Sequence, residues 1–143
     1  MKHTARNRFL HYVTIDTQSD PGSGTCPSTE KQKDLARILL QELHALEIEA
    51  EMDENGYVYG HIPATSTKQV PAVCFCSHMD TSPDCSGANV NPVIHTNYQG
   101  HPITYSGLPG LVLDPEEHPD LKNKIGHDII TSDGTTLLGA DNK

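Results

Sequence analysis

The chain has 143 residues and a mass of 15.6 kDa, which is enough for one domain or for part of a larger one. Ten Lys and Arg residues against 19 Asp and Glu residues give a formal net charge of -9. This is the wrong sign for binding polyanions by counterion release, so we expect no nucleic-acid partner and no membrane partner. The apolar runs are short and the start of the chain lacks a secretory signal, which predicts a cytoplasmic protein with reduced cysteines.

Two helices are predicted in the first third of the chain. The first is short and places Phe9, Leu10 and Val13 on one face. The second is predicted to begin at Thr29 and Gln32, whose spacing fits a capping box. Apolar residues then recur at the helical period of 3.6 and form a single stripe. The stripe consists of Leu35, Ile38, Leu39, Leu43 and Leu46.

The pattern changes to a period of two after the second helix. Residues 47–53 alternate between acidic and apolar side chains, which is typical of a half-buried strand. The Asn55-Gly56 pair predicts a tight turn into a second strand at 57–62. Residues 70–76 form a continuous apolar run, which predicts a central strand buried on both faces.

The rest of the chain is rich in glycine and proline and carries only brief strand-like pieces. These pieces lie at 93–95, 111–113, 128–131 and 135–138, and the last two flank a turn at 132–134. Together with the two helices, they predict an α/β fold in which helices pack on a mixed β-sheet.

His78 and Asp80 are the first candidate site residues, because they follow the apolar run of 70–76. Open α/β sheets bind ligands at the carboxyl ends of their strands. Imidazole suits zinc, cobalt or manganese, and a neighbouring carboxylate can orient the ring by accepting its second N–H. The alternative is that the two side chains form a solvated or core pair without a metal.

Asp141 is the second candidate, since it follows the last predicted strand. A carboxylate has two oxygens and can bridge two cations in a hydrolytic site. On its position alone, an aspartate after a strand and before a helix is more often the N-cap of that helix. Cys74 and Cys76 could join His78 in a thiolate zinc site, but their place inside the apolar run favours buried packing.

Several longer strings of residues extend these candidates. They are Ser77-His78-Met79-Asp80-Thr81-Ser82-Pro83-Asp84, Ser86-Gly87-Ala88-Asn89-Val90 and Thr135-Thr136-Leu137-Leu138-Gly139-Ala140-Asp141, with further matches at 15–20, 27–29 and 53–58. With these strings, essentially the whole chain resembles the tripeptide aminopeptidase branch of the M20 family of metallopeptidases. That family also holds dinuclear-zinc carboxypeptidases and deacylases.

The resemblance implies roles for three residues. His78 would be a ligand to one zinc ion, Asp141 would bridge two zinc ions, and Asp80 would orient a ligand imidazole supplied from later in the chain. Cobalt or manganese could replace zinc. The implied reaction is metal-assisted hydrolysis that releases the N-terminal residue of a tripeptide substrate, with a glutamate as general base.

The resemblance also implies that residues 1–143 are the N-terminal portion of a zinc-peptidase-like catalytic domain. The general base, the remaining metal ligands and a lid or dimerisation domain would lie beyond Lys143. We therefore expect the chain alone to be inactive. One alternative is a non-catalytic truncated module that self-associates as a homo-oligomer or complements a second fragment. Another is a related dipeptidase or N-acyl amino acid deacylase.

Overall fold

A computed structural model of the protein describes residues 4–139. The described chain separates into two compact units, of which the first comprises 17–83 and the second comprises 4–16 with 84–139. It contains helices and three small antiparallel sheets, which confirms the predicted α/β class. The elements are α1 (Ala5–Tyr12), α2 (Gln32–Ala45), β1 (Glu49–Met52), β2 (Val58–His61), β3 (Val93–His95), β4 (Ile103–Thr104), β5 (Val112–Leu113), a 3₁₀ helix (Pro119–Lys124) and β6 (Ile129–Thr131).

In the first unit, α2 packs on the hairpin formed by β1 and β2. The strands pair antiparallel, from Glu49 opposite His61 to Met52 opposite Val58. Glu49 is exposed and Met52 is half-buried, so the predicted alternation of the first strand is confirmed. Leu35 is buried on the apolar face of α2, as its place in the predicted stripe requires.

The predicted capping box at the start of α2 is wrong in its hydrogen bonding. The helix begins at Gln32, and the residue before it provides no side-chain cap. The Thr29 hydroxyl lies outside the helix and donates to the Gln18 carbonyl oxygen at 2.7 Å. The side-chain amide nitrogen of Gln32, Nε2, donates to Thr29 Oγ1 at 3.2 Å. These contacts connect the helix entry to the segment around Gln18.

The second unit begins with α1, the predicted short helix, whose Thr4 hydroxyl accepts from the Asn7 backbone N–H at 3.2 Å. Arg6 Nη1 lies 3.0 Å from Asp128 Oδ2 and connects the helix to the segment before β6. The unit contains the antiparallel pairs β3–β6 and β4–β5. Its buried apolar residues are Val13, Val90, Tyr98 and Ile103.

The predicted strand at 135–138 does not form, and β6 pairs with β3. The turn side chains explain this difference. Asp133 Oδ1 accepts from both the backbone N–H and the hydroxyl of Thr135, and the Ser132 hydroxyl donates to the Thr136 carbonyl. Local bonds of this kind compete with strand pairing.

The prediction of a buried strand at 70–76 is also wrong for the described chain. Residues 61–78 are all exposed, and 70–76 contain no strand. Phe75 is 95% exposed, and the thiols of Cys74 and Cys76 are exposed and unpaired with each other. The composition suits a strand buried on both faces, but residues 4–139 place no neighbouring strand beside it.

Candidate functional site

His78 and Asp80 lie together, as their spacing predicts. His78 Nδ1 is 2.9 Å from Asp80 Oδ1, and the two side chains are 61% and 39% exposed. When Nδ1 carries the hydrogen, it donates to the carboxylate and leaves Nε2 as a free lone pair. This is the arrangement in which a carboxylate orients a metal-binding imidazole.

The backbone around Asp80 is held by the segment that begins at Thr17. The Thr17 hydroxyl donates to the Met79 carbonyl oxygen at 2.7 Å. The Thr81 N–H donates to the Thr17 carbonyl at 3.1 Å, and the Ser19 N–H donates to the Thr81 carbonyl at 3.0 Å. Thr17 and Thr81 are both buried, so these bonds are shielded from competition with water. They fix the chain on both sides of Asp80.

A second set of bonds holds that segment in turn. Thr29 donates to the Gln18 carbonyl, and the Ser28 hydroxyl accepts from the Asp20 N–H at 3.0 Å. The motifs at 15–20 and 27–29 therefore supply residues that position the loop containing His78. The sequence analysis recognised these two motifs but did not assign them a positioning role.

A cavity of about 330 Å³ lies within the first unit, and the loop containing His78 forms part of its lining. His78 and Asp80 line it together with Lys33 of α2, Tyr57 of the hairpin and Cys26. The described residues thus bring the candidate pair together with three polar side chains that the sequence did not connect to it.

The hairpin turn reaches the cavity through the motif at 53–58. Asp53 Oδ1 accepts from the backbone N–H groups of Asn55 and Tyr57, at 3.0 and 2.9 Å. Gly56 has φ +87°, and a Cβ there would lie 3.1 Å from Lys33 Cγ. A glycine therefore lets the turn approach α2 closely.

Two polar interactions set the charge of the cavity wall. The hydrogen bond with the Cys26 thiol, Sγ to Oη 3.9 Å, is the largest cause that raises the pKa of Tyr57, followed by charge repulsion from the same group. Lys33 Nζ lies 3.1 Å from Glu30 Oε1, and its side chain is only 17% exposed. The cavity is therefore lined by a phenol, by an ammonium group that is paired with Glu30, and by the imidazole of His78.

The donor set of the described residues fits part of a zinc site. An imidazole with one nitrogen on a carboxylate and the other free is a suitable zinc ligand. Within 4–139, no group of three or more His, Cys, Asp or Glu side chains could hold a metal ion. Asp141 lies outside the described residues, so its position as a bridging carboxylate stays a prediction. So does the pairing of Asp80 with a later imidazole, since the described partner of Asp80 is His78.

Comparison with known proteins identifies the relatives of the chain. It is 58% identical over 137 residues to peptidase T of Aliivibrio fischeri, covering 95% of this chain and 33% of that protein. It is 51% identical over 144 residues to peptidase T of Geobacillus sp. (strain WCH70), covering 100% of this chain and 35% of that protein. The chain is homologous to peptidase T.

The homology extends over nearly the whole chain, and the chain spans about a third of the length of the curated relatives it matches. The chain is also 54% identical over 136 residues to peptidase T of Desulfitobacterium hafniense, covering 95% of this chain and 33% of that protein. No protein-family model matches the chain. Among the helices of 4–139, none combines the length and apolar composition needed to cross a lipid bilayer.

Proposed function

We propose that this chain supplies part of the active site of a metal-dependent aminopeptidase that releases the N-terminal residue of tripeptides. The observation that carries the proposal is the His78–Asp80 pair, with an Nδ1–Oδ1 distance of 2.9 Å, on the wall of a cavity in a homologue of peptidase T. Homology supports a peptidase, and the geometry supports a histidine prepared to bind a metal.

In this proposal, His78 and Asp141 hold two divalent cations, with zinc as the first choice and cobalt or manganese as substitutes. When bound, the cations would supply an acidified water and a polarised scissile carbonyl. Asp80 keeps the His78 imidazole in the tautomer that leaves Nε2 free. Thr17 and Thr81 keep the backbone of this loop in place.

The cavity wall would bind the peptide. Lys33 offers an ammonium group that can pair with a carboxylate, and the Tyr57 hydroxyl can donate a hydrogen bond to the peptide. The described residues provide fewer than the three protein ligands that a catalytic zinc usually has, so the chain alone is proposed to be inactive.

A hybrid enzyme tests the proposal. The chain replaces the matched 137 residues of the Aliivibrio fischeri relative, and hydrolysis of tripeptides, dipeptides and N-acyl amino acids is measured. Tripeptide hydrolysis is expected to dominate. His78→Ala is expected to lower kcat/KM by about a thousandfold, because a metal ligand contributes several kcal/mol to the transition state.

The matched control is His61→Ala, which removes an exposed imidazole from the end of β2 in the same unit. It is expected to leave kcat/KM within about twofold, as for a surface change away from the site. A hybrid with His78→Ala that keeps the parent rate, or a hybrid that prefers dipeptides or N-acyl amino acids, would overturn the proposal.

A further inference from the structure

Lys33 is the only lysine or arginine among the described residues that line the cavity. Its ammonium group donates to Glu30 Oε1 at 3.1 Å, and the described chain supplies no second acceptor for it. An ammonium group has three N–H donors, so two remain for a ligand. The Lys33 side chain is 17% exposed and that of Glu30 is 80% exposed. Because an ion pair with an exposed partner contributes little, a ligand carboxylate can compete with Glu30 for the ammonium group.

The hairpin turn packs against the aliphatic part of Lys33. A Cβ on Gly56 would lie 3.1 Å from Lys33 Cγ and 3.8 Å from Lys33 Cε, so the backbone of the turn covers these methylene groups. The side chain therefore has a restricted set of conformations before a ligand binds. Binding through Lys33 costs less conformational entropy than binding through a freely moving lysine.

The other polar groups of the lining suit a negatively charged ligand group. Tyr57 and Asn55, on the same turn, add a hydroxyl and a side-chain amide, which can both donate hydrogen bonds. The only carboxylate among the described lining residues is Asp80, and it is hydrogen-bonded to His78. A ligand carboxylate therefore finds donors at Lys33 and at the hairpin turn without meeting an unpaired acid.

We propose that Lys33 is a specificity-determining residue, which binds a carboxylate of the peptide substrate and makes the enzyme prefer peptides that carry this group. Two parts of a peptide can carry it, an acidic side chain and the C-terminus, and the experiment separates them. The inference rests on the proposed function, since it names the substrate group that the cavity binds while His78 binds the metal. A group that binds substrate without touching the reacting atoms changes KM more than kcat.

Hydrolysis of matched peptides by the hybrid enzyme tests this proposal. Trialanine with an aspartate at each position in turn is compared with the same peptide carrying asparagine, and trialanine is compared with its C-terminal amide. In at least one pair, the carboxylate peptide is expected to have a kcat/KM at least about tenfold above that of its uncharged partner, mainly through KM. That pair identifies the source of the carboxylate. Equal values in every pair would overturn the proposal.

Substitutions assign the preference to its residue. Lys33→Gln is expected to reduce it to about twofold or less, whereas Lys33→Arg keeps the charge and should keep most of the preference. The matched control is Arg37→Gln, which removes a positive charge from the same helix. Arg37 also forms an i,i+3 ion pair, with Asp34, and is not part of the described cavity lining. A preference that survives Lys33→Gln, or that Arg37→Gln removes equally, would contradict the proposal.

Peptide binding to the chain itself gives a measurement that needs neither turnover nor substitution. In at least one pair, the carboxylate peptide is expected to shift the backbone NMR signals of Gly56 and Tyr57 more strongly than its uncharged partner does. Equal shifts in every pair would overturn the proposal. A carboxylate-dependent shift together with a hybrid that hydrolyses no tripeptide would uphold the binding site and remove the proposed function. Tripeptide hydrolysis without any carboxylate preference would do the reverse.

Discussion

Thr17 is a single residue on which the geometry of the candidate site depends. Its hydroxyl is buried and donates to the Met79 carbonyl oxygen at 2.7 Å. Thr17→Val keeps the shape of the side chain but leaves that carbonyl without its donor, so we expect a loss of about 1–3 kcal/mol in the free energy of unfolding. Chemical denaturation of the two proteins measures it.

Thr17→Ser is the control, because it keeps the hydroxyl and removes one methyl group. The free energy of unfolding is expected to fall less for Thr17→Ser than for Thr17→Val. A valine variant as stable as the parent protein would show that the Thr17 bond does not stabilise the loop containing His78.

The titration of Asp133 reports whether its hydrogen bonds with Thr135 are formed. The pKa of this carboxyl is lowered, first by the hydrogen bond from the Thr135 hydroxyl and then by the bond from the Thr135 N–H. Since the folded pKa is depressed, the stabilisation from the ionised form is present above the unfolded pKa. It is lost as the pH falls through the folded pKa.

Thr135→Val removes the larger of these causes and keeps the backbone donor. The pKa of Asp133 is expected to rise toward its ordinary value, which an NMR titration of the carboxyl carbon measures. Thr135→Ser retains the hydroxyl and should retain the lowered pKa. An unchanged titration of Asp133 in the valine variant would contradict the described hydrogen bond.

Whole elements were predictable where their pattern depends on neighbours in sequence. Helix α2 followed from its apolar spacing, and the β1–β2 hairpin followed from alternation and from the Asn55-Gly56 turn. The pairing of β6 with β3 was not predictable, because it depends on side-chain bonds in the 132–136 turn and on residues far along the chain.

The packing of helix α2 can be tested by substituting a buried and an exposed leucine. Leu35 is 2% exposed, whereas Leu46, in the same predicted stripe, is 54% exposed. Leu35→Ala is expected to lower the free energy of unfolding by about 2–5 kcal/mol, because it leaves a cavity in the core. Leu46→Ala is the matched control and should cost no more than about 0.5 kcal/mol. Equal losses, measured by chemical denaturation, would contradict the described burial of α2.

For the whole molecule, the candidate site was predictable only in part. The two-residue spacing of His78 and Asp80 placed them together, and the structure gives them a hydrogen bond. The contributions of Lys33, Tyr57 and Cys26 to the same cavity depend on how α2 and the hairpin pack, which spacing along the chain does not encode. Residues 70–76 show the same limit, since their composition requires a neighbour that 4–139 do not provide.

The central claim is that the His78 imidazole is a metal ligand held in place by Asp80. The direct measurement is anomalous X-ray diffraction at the zinc edge from crystals of the zinc-loaded hybrid enzyme. The account predicts a zinc ion about 2.0–2.1 Å from His78 Nε2, with Asp80 on Nδ1. A fully loaded hybrid in which zinc lies elsewhere and the His78 ring binds no metal would contradict it.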